Sequence, residues 1–251
     1  MLVARSRLAL DLARLGLGRG GVAMVHCRMS ALGRVVGGAE TVVRALLEAL
    51  GPEGTLVAYT GWQDGPPDNL DSLDDETRRV YLEEHPAYDP RFALSSRDHG
   101  RIPEALRTWP GARHSGHPEA GLAALGPLAE ALTTSHRYDD AYGADTPYAR
   151  LVELGGQVVV LGAPLDTVTL VHHAEAVARV PGKRRMGYAM PIMVGGGASG
   201  GPSQTSTPRR APCPTSASLE TRTTSGTSRV PRSWLESGGA GRSWKWASSR
   251  A

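Results

Sequence analysis

Residues 155–185, GGQVVVLGAPLDTVTLVHHAEAVARVPGKRR, limit the possible folds more than any other stretch. Residues 157–161 form a short apolar, β-branched run, which reads as a strand buried on both faces of a sheet. Gly162, Ala163 and Pro164 break that run. Asp166 or Thr167 can accept the unpaired N–H groups of a helix start, and residues 169–179 continue as that helix. Val168, Val171, Ala174, Val177 and Ala178 recur at helical spacing, so this face is expected to pack inward. A buried strand, a break and a helix make the repeating unit of an α/β sheet, whose chemistry usually lies just beyond the strands' carboxyl ends. His172 and Glu175 stand three apart on the helix, close enough to touch or to share a substrate. Such a pair serves structure as readily as chemistry. His173 points to a different face.

The N-terminal part repeats the strand–loop–helix pattern. Residues 6–15 read as an amphipathic helix with Leu8, Leu12 and Leu15 on one side, ended by Gly16, Gly18, Gly20 and Gly21. Residues 22–26 read as a strand, 27–38 as a loop and 39–50 as a helix that turns Val42, Val43, Leu46, Leu47 and Leu50 inward. After the turn at 51–54, residues 55–60 form the next strand. The 27–38 loop and the following helix N-terminus offer backbone N–H groups and a favourable dipole to an anion, although an ordinary βα turn has the same features. Short helices are expected at 103–108 and 148–154. Residues 62–89 are acidic and contain Asp64, Asp74, Asp75 and Glu76, with a short helix around 74–84. They are either a solvated insertion or a wall that draws in a polycationic ligand; Trp62 and Tyr88 could cover sugar rings there.

At 251 residues one domain with one good-sized core is the default. Two cysteines, Cys27 and Cys213, imply neither a disulfide framework nor a metal site. No apolar run reaches membrane-spanning length, and Arg5, Arg7, Asp11 and Arg14 interrupt any signal-peptide core. A soluble, cytoplasmic setting is expected. The positive net charge belongs to the C-terminal part: residues 1–194 hold 20 Lys and Arg against 23 Asp and Glu, and residues 195–251 hold 8 against 2. The body therefore gives no reason to expect nucleic acid as a partner.

Several segments together resemble the aminoglycoside 3-N-acetyltransferases. Members carry Leu-Gly-Ala/Val, Asn/Asp-x-x-Thr, Leu-His-x-Ala-Glu and Pro-Gly-Lys-Arg; here these are residues 161–163, 166–169, 171–175 and 181–184. HCRMSALGRVVGGAETVV, from His26, is similar to the family's coenzyme A segment. PGARHSGHPEAG resembles a further family pattern, with His114 in place of an Arg and Gly121 in place of a Ser. The resemblance implies an α/β fold with a central mixed sheet flanked by helices, unrelated to the Gcn5-related fold. Arg34-Val-Val-Gly37-Gly-Ala39 does match the Gcn5-related pyrophosphate pattern, but that pattern is loose enough to arise by chance.

The resemblance further implies acetyl transfer from acetyl-CoA to the 3-amino group of a 2-deoxystreptamine antibiotic. His172 matches the catalytic base and Glu175 would orient it. Arg28, Met29, Ser30, Gly33, Ser115 and His117 would bind the cofactor, and Asp64, Asp74, Asp75 and Glu76 the cationic drug. The alternatives are an inactive family member and an enzyme for another small amine. The resemblance ends near residue 194. Gly, Ser, Thr and Pro supply 33 of the last 57 residues, yet three of the five tryptophans lie there. Residues 195–251 are therefore expected to be a disordered tail or, as the preferred account, translation out of frame; a shifted reading can spell family-like segments twice in the right order.

Overall fold

Alternation along each strand sorts the side chains onto two faces of one sheet. The computed structural model describes residues 2–67, 69–179, 181, 183 and 190–192, so the expectation for residues 195–251 lies outside the described residues. The elements run β1 (Leu2–Val3), α1 (Arg5–Arg14), β2 (Val22–Cys27), β3 (Arg34–Val35), α2 (Gly38–Leu50), β4 (Thr55–Tyr59) and α3 (Asp75–Glu84). They continue α4 (Arg101–Arg107), β5 (Arg113–His114), β6 (Leu122–Leu125), α5 (Ala129–Thr133), α6 (Pro147–Glu153), β7 (Gln157–Leu161) and α7 (Leu170–Val177).

The main sheet has the order β5-β6-β4-β2-β7. β4, β2 and β7 are parallel, with Met24 opposite both Val57 and Val158. β6 runs antiparallel to β4, and β5 antiparallel to β6. The expected central mixed sheet with flanking helices is what the chain forms. Ala23, Val25, Cys27, Leu56, Ala58, Ala123, Val159 and Leu161 face α1, α2 and α4, meeting Leu8, Leu12, Val43, Leu46, Ile102 and Leu106. Met24, Val57, Tyr59, Leu122, Ala124 and Val160 face the other way, onto Leu132, Tyr148, Leu151, Val168 and Leu170. Each fully buried leucine or valine contributes about 1.5–3 kcal/mol relative to exposure, so both layers of helices are held by many such side chains. No helix among the described residues is long and apolar enough to cross a membrane.

One strand goes beyond the sequence reading and one helix departs from it. β6, in the run GLAALG, was not anticipated as a strand, because alanine and glycine carry little β preference. Its place comes from pairing with β4 over four residues, Leu56 to Tyr59. The helix is α7. Val171 and Val177 are about half exposed, at 46% and 49%, while Leu170 is buried. The helix is rotated away from its most apolar stripe by two anchors, Leu170 in the core and a 2.7 Å hydrogen bond from His173 Nδ1 to the Tyr142 carbonyl. Its start also differs. Thr169 occupies the cap position without a side-chain bond; Asp166 and Thr167 lie in a preceding 3₁₀ turn, where Thr167 Oγ1 donates to the Pro164 carbonyl at 2.6 Å.

Candidate active site

The strand order turns at β2, since α2 leads the chain to β4 on one side while β7 adds on the other. Ligands of open α/β sheets sit outside the strands' carboxyl ends at such a point. A cavity of about 710 Å³ lies there. β2 and its loop line it with His26, Cys27, Arg28, Met29 and Ser30; β4 adds Tyr59; the entry to α4 adds Asp98, His99, Gly100 and Arg101. Glu119 and Tyr142 come from the third layer, and Ala163, Pro164, Asp166, Thr167, Thr169 and His172 from the passage between β7 and α7. Gly162 makes that passage possible. Its φ is +67°, and a Cβ there would run into that of Ala31, so the chain after β7 can approach the turn after β2 only without a side chain. The Arg28 N–H donates to the Leu161 carbonyl at 3.0 Å, joining the two loops.

Of the two adjacent histidines, His172 lines the cavity and His173 does not. His172 Nδ1 lies 2.9 Å from Glu175 Oε2, a spacing that has Nδ1–H donating to the carboxylate and leaves the Nε2 lone pair for a ligand proton. The Tyr142 ring packs 5.2 Å from the imidazole, centre to centre. Beyond Glu175, the Lys183 ammonium donates to the carbonyls of Glu175, Ala176 and Ala178 at 3.0, 2.9 and 2.6 Å. These are among the carbonyls that a helix end leaves unpaired.

The expected coenzyme contacts divide into two groups. Arg28, Met29 and Ser30 line the cavity, with Arg28 Nε 3.3 Å from Ser30 Oγ. Gly33 ends the 3₁₀ turn at φ +81° and is not part of the wall, and neither are Arg34 and Gly37. Ser115 and His117 lie in the core, 1% and 0% exposed, and not on the cavity wall. Ser115 Oγ accepts the Leu122 N–H at 2.9 Å and meets His136 Nδ1 at 3.0 Å. His117 Nδ1 accepts the Ala120 N–H at 2.9 Å, and its ring packs at a tilt against His136, 4.6 Å between centres. Their hydrogen bonds shape the loop between β5 and β6 that carries Glu119. The two departures from the family pattern also have structural partners. His114 Nε2 donates to the Arg107 carbonyl at 2.8 Å, and a Cβ on Gly121 would lie 2.7 Å from Thr60 Oγ1.

The acidic residues expected to meet the drug lie apart from this cavity. Asp64, Asp74, Asp75 and Glu76 are exposed and absent from the cavity wall. Asp74 instead caps α3, accepting the Thr77 N–H at 2.9 Å. Trp62 and Tyr88 pack on each other at 5.3 Å, and Tyr88 is buried beside Pro191, whose carbonyl accepts its N–H at 2.8 Å. The carboxylates that do line the cavity are Asp98, Glu119 and Asp166. Sequence reasoning names none of the three as a site residue: it gives Asp166 only as a helix start and a motif position, and only the proximity of Asp98 to the family-like Gly100-Arg-Ile-Pro-Glu104 could have marked that residue. A shared clamp holds that segment in place. Glu104 accepts the Ser95 N–H at 2.9 Å and binds Arg107 Nε and Nη2 at 2.9 and 2.7 Å. Burial raises the Glu104 pKa, but Arg107 and the Ser95 N–H outweigh it and hold the carboxyl below its ordinary value.

Burial pushes the Cys27 thiol up to about 12. It lowers His26 to about 4, with His99 adding to the effect. His99 is lowered by burial too, against the opposing pull of the Thr60 carbonyl and Asp98. Among the described residues no group of three or more His, Cys, Asp or Glu is placed to hold a metal ion.

A profile described as aminoglycoside 3-N-acetyltransferase matches residues 24–220 of this chain. The chain belongs to the aminoglycoside 3-N-acetyltransferase family. Aminoglycoside N(3)-acetyltransferase VIII of Streptomyces fradiae is 52% identical over 194 residues, 77% of this chain and 68% of the relative. The crystal structure of aminoglycoside acetyltransferase AAC(3)-Xa is 49% identical with a TM-score of 0.76, over 78% of this chain and 69% of its own. A binary complex of AAC-IIIb with CoASH is 45% identical with a TM-score of 0.70, over 76% of this chain and 71% of its own. The profile match runs past residue 194, whereas the similarity to the Streptomyces fradiae relative extends over 194 residues.

Proposed function

We infer that this family member transfers acetyl from acetyl-CoA to the 3-amino group of a 2-deoxystreptamine aminoglycoside, with His172 as general base. The observation that carries the assignment of the base is the His172–Glu175 pair at 2.9 Å on the wall of the cavity at the sheet's switch point. Glu175 holds the imidazole in the tautomer that leaves Nε2 able to take a proton, the arrangement of a base oriented by a third group. As His172 takes the amine proton, the nitrogen attacks the thioester carbonyl carbon. The C–S bond then breaks and the departing sulfur is protonated, giving the amide and coenzyme A. Backbone N–H groups or neutral side chains at the cavity would hold the oxyanion.

Arg28, Met29 and Ser30 suit the acyl donor, since the exposed Arg28 guanidinium can meet phosphate oxygens. Asp98, Glu119 and Asp166 suit a polycationic acceptor. Transfer is direct, within a ternary complex, because Cys27 is buried and stays a thiol at neutral pH. Acetylation removes a positive charge that the drug uses to bind RNA, so resistance or self-protection is the role that follows.

Incubating the protein with acetyl-CoA and a panel of amines, and following free thiol, tests the reading. Turnover is expected with gentamicin- or kanamycin-type drugs, and His172→Ala should lower kcat by about 10²–10⁴-fold. Turnover only with other amines would refute the substrate, and a His172→Ala variant as fast as wild type would refute the base.

A further inference from the structure

We propose that His26 contacts substrate directly, its uncharged imidazole hydrogen-bonding an uncharged oxygen of a ligand held in the cavity. This rests on the functional reading above and adds a residue that neither the pair at α7 nor the acidic groups supply. Nε2 of His26 is buried and has no hydrogen-bond partner among the described residues. Buried polar atoms are nearly always paired, and an exception calls for a reason. The other such atom among the described residues, Arg150 Nε, belongs to a guanidinium whose Nη2 already donates to the Ser135 carbonyl. His26, by contrast, lines the cavity.

Strand parity sets where the ring lies. Val22 and Met24 face the α6 and α7 side, while Ala23, Val25 and Cys27 face the opposite layer. His26 continues the first series, opposite Val160 of β7. Its ring is thus on the side of the sheet that carries His172, and one residue of chain separates it from the Arg28, Met29 and Ser30 wall. Burial and the neighbouring His99 keep the ring neutral down to about pH 4, so at neutral pH it is neither a cation for phosphate nor a useful base. A neutral imidazole offers one N–H and one lone pair, which suits a thioester or amide carbonyl of the acyl donor or a hydroxyl of the aminocyclitol. The ammonium groups of the drug are better met by the carboxylates.

His26→Phe keeps a ring of similar size and deletes both nitrogens. Deleting a buried, unpaired polar atom should leave the melting temperature unchanged or raise it, whereas a structural role would lower it. In steady-state kinetics with acetyl-CoA and kanamycin, the variant should lose about tenfold or more in kcat/KM. A loss read with acetyl-CoA as the varied substrate assigns the carbonyl, and one read with kanamycin assigns the hydroxyl. His26→Gln, which restores a neutral donor and acceptor, should recover most of the loss. If His26→Phe does not fold, the ring nitrogen resonances of ¹⁵N-labelled wild type are followed on adding acetyl-CoA or kanamycin. A shift with either supports the proposal; no shift with both overturns it, as do His26→Phe constants within about twofold of wild type. Wild-type protein that acetylates no aminoglycoside ends the functional reading instead, and the resonance experiment still decides on His26.

Discussion

Cys27 and His26 are neighbours on β2, yet burial acts on them in opposite chemical senses. The thiol is pushed up to about 12 and the imidazole down to about 4, because a low-dielectric wall disfavours the charged form of each. A thiol that stays protonated is a poor acyl carrier. Cys27→Ala is therefore expected to keep kcat within about threefold of wild type, with double-reciprocal plots that intersect. Parallel plots, or a variant without turnover, would show that acetyl passes through the sulfur. At this scale the sequence identifies His172 through spacing and family pattern. It cannot show that His173 is committed to the Tyr142 carbonyl, 31 positions earlier.

α7 is only eight residues long, and helices of that length need help at their ends. Lys183 supplies it, placing one ammonium on three carbonyls near the helix's C-terminal end. The cation also complements the helix dipole. Lys183→Met keeps the apolar stem and removes the charge-assisted bonds. It should cost about 1–3 kcal/mol in urea unfolding and, by loosening Glu175, lower kcat more than it raises KM for acetyl-CoA. A variant with lowered stability but wild-type kcat would leave Lys183 a purely structural cap. The same scale shows what local reasoning can reach. α3 is legible because Asp74 is its own start signal, and a cap needs nothing beyond its next three residues. The inward face of α7 is not legible, because a tertiary hydrogen bond and one buried leucine outweigh its apolar stripe.

Across the whole molecule, one fully buried and two largely buried histidines make the fold sensitive to acid. His26 and His136 are lowered to about 4 and His117 to about 3, in each case first by burial. His99 adds to the shift at His26, and His136 to that at His117. At His136 the Ala141 carbonyl opposes the shift and Arg150 adds to it. An unfolded histidine takes up its proton near pH ~6.5. Between that value and the folded ones the unfolded chain binds more protons, so stability is fully present above pH ~6.5 and falls as pH falls. The slope is expected to reach about 1.4 kcal/mol per pH unit for each histidine. Urea unfolding at pH 7.5, 6.5, 5.5 and 5 (roughly bracketing the window) measures it; a midpoint that stays level across that range would mean that these rings are not held neutral.

The three parallel strands of the main sheet, most helices and the α/β class itself could be read from the chain because their signals are short-range. A β-branched run, an i,i+3 pair, a cap or a glycine break acts within a few residues. The cavity wall could not, apart from His172 and the Arg28, Met29 and Ser30 run. His26, Tyr59, Asp98, Glu119 and Tyr142 come from separate segments, and only the parallel pairing of β7, β2 and β4 brings them to one end of the sheet. The same pairing settles which polar residues work inside the core. Ser115 and His117 have the residue types of a binding motif, but β6 draws their loop under the sheet, where backbone N–H groups and His136 take their hydrogen bonds. Spacing says what a side chain can do; the layers packed around it decide whether a ligand or the core takes up its hydrogen bonds.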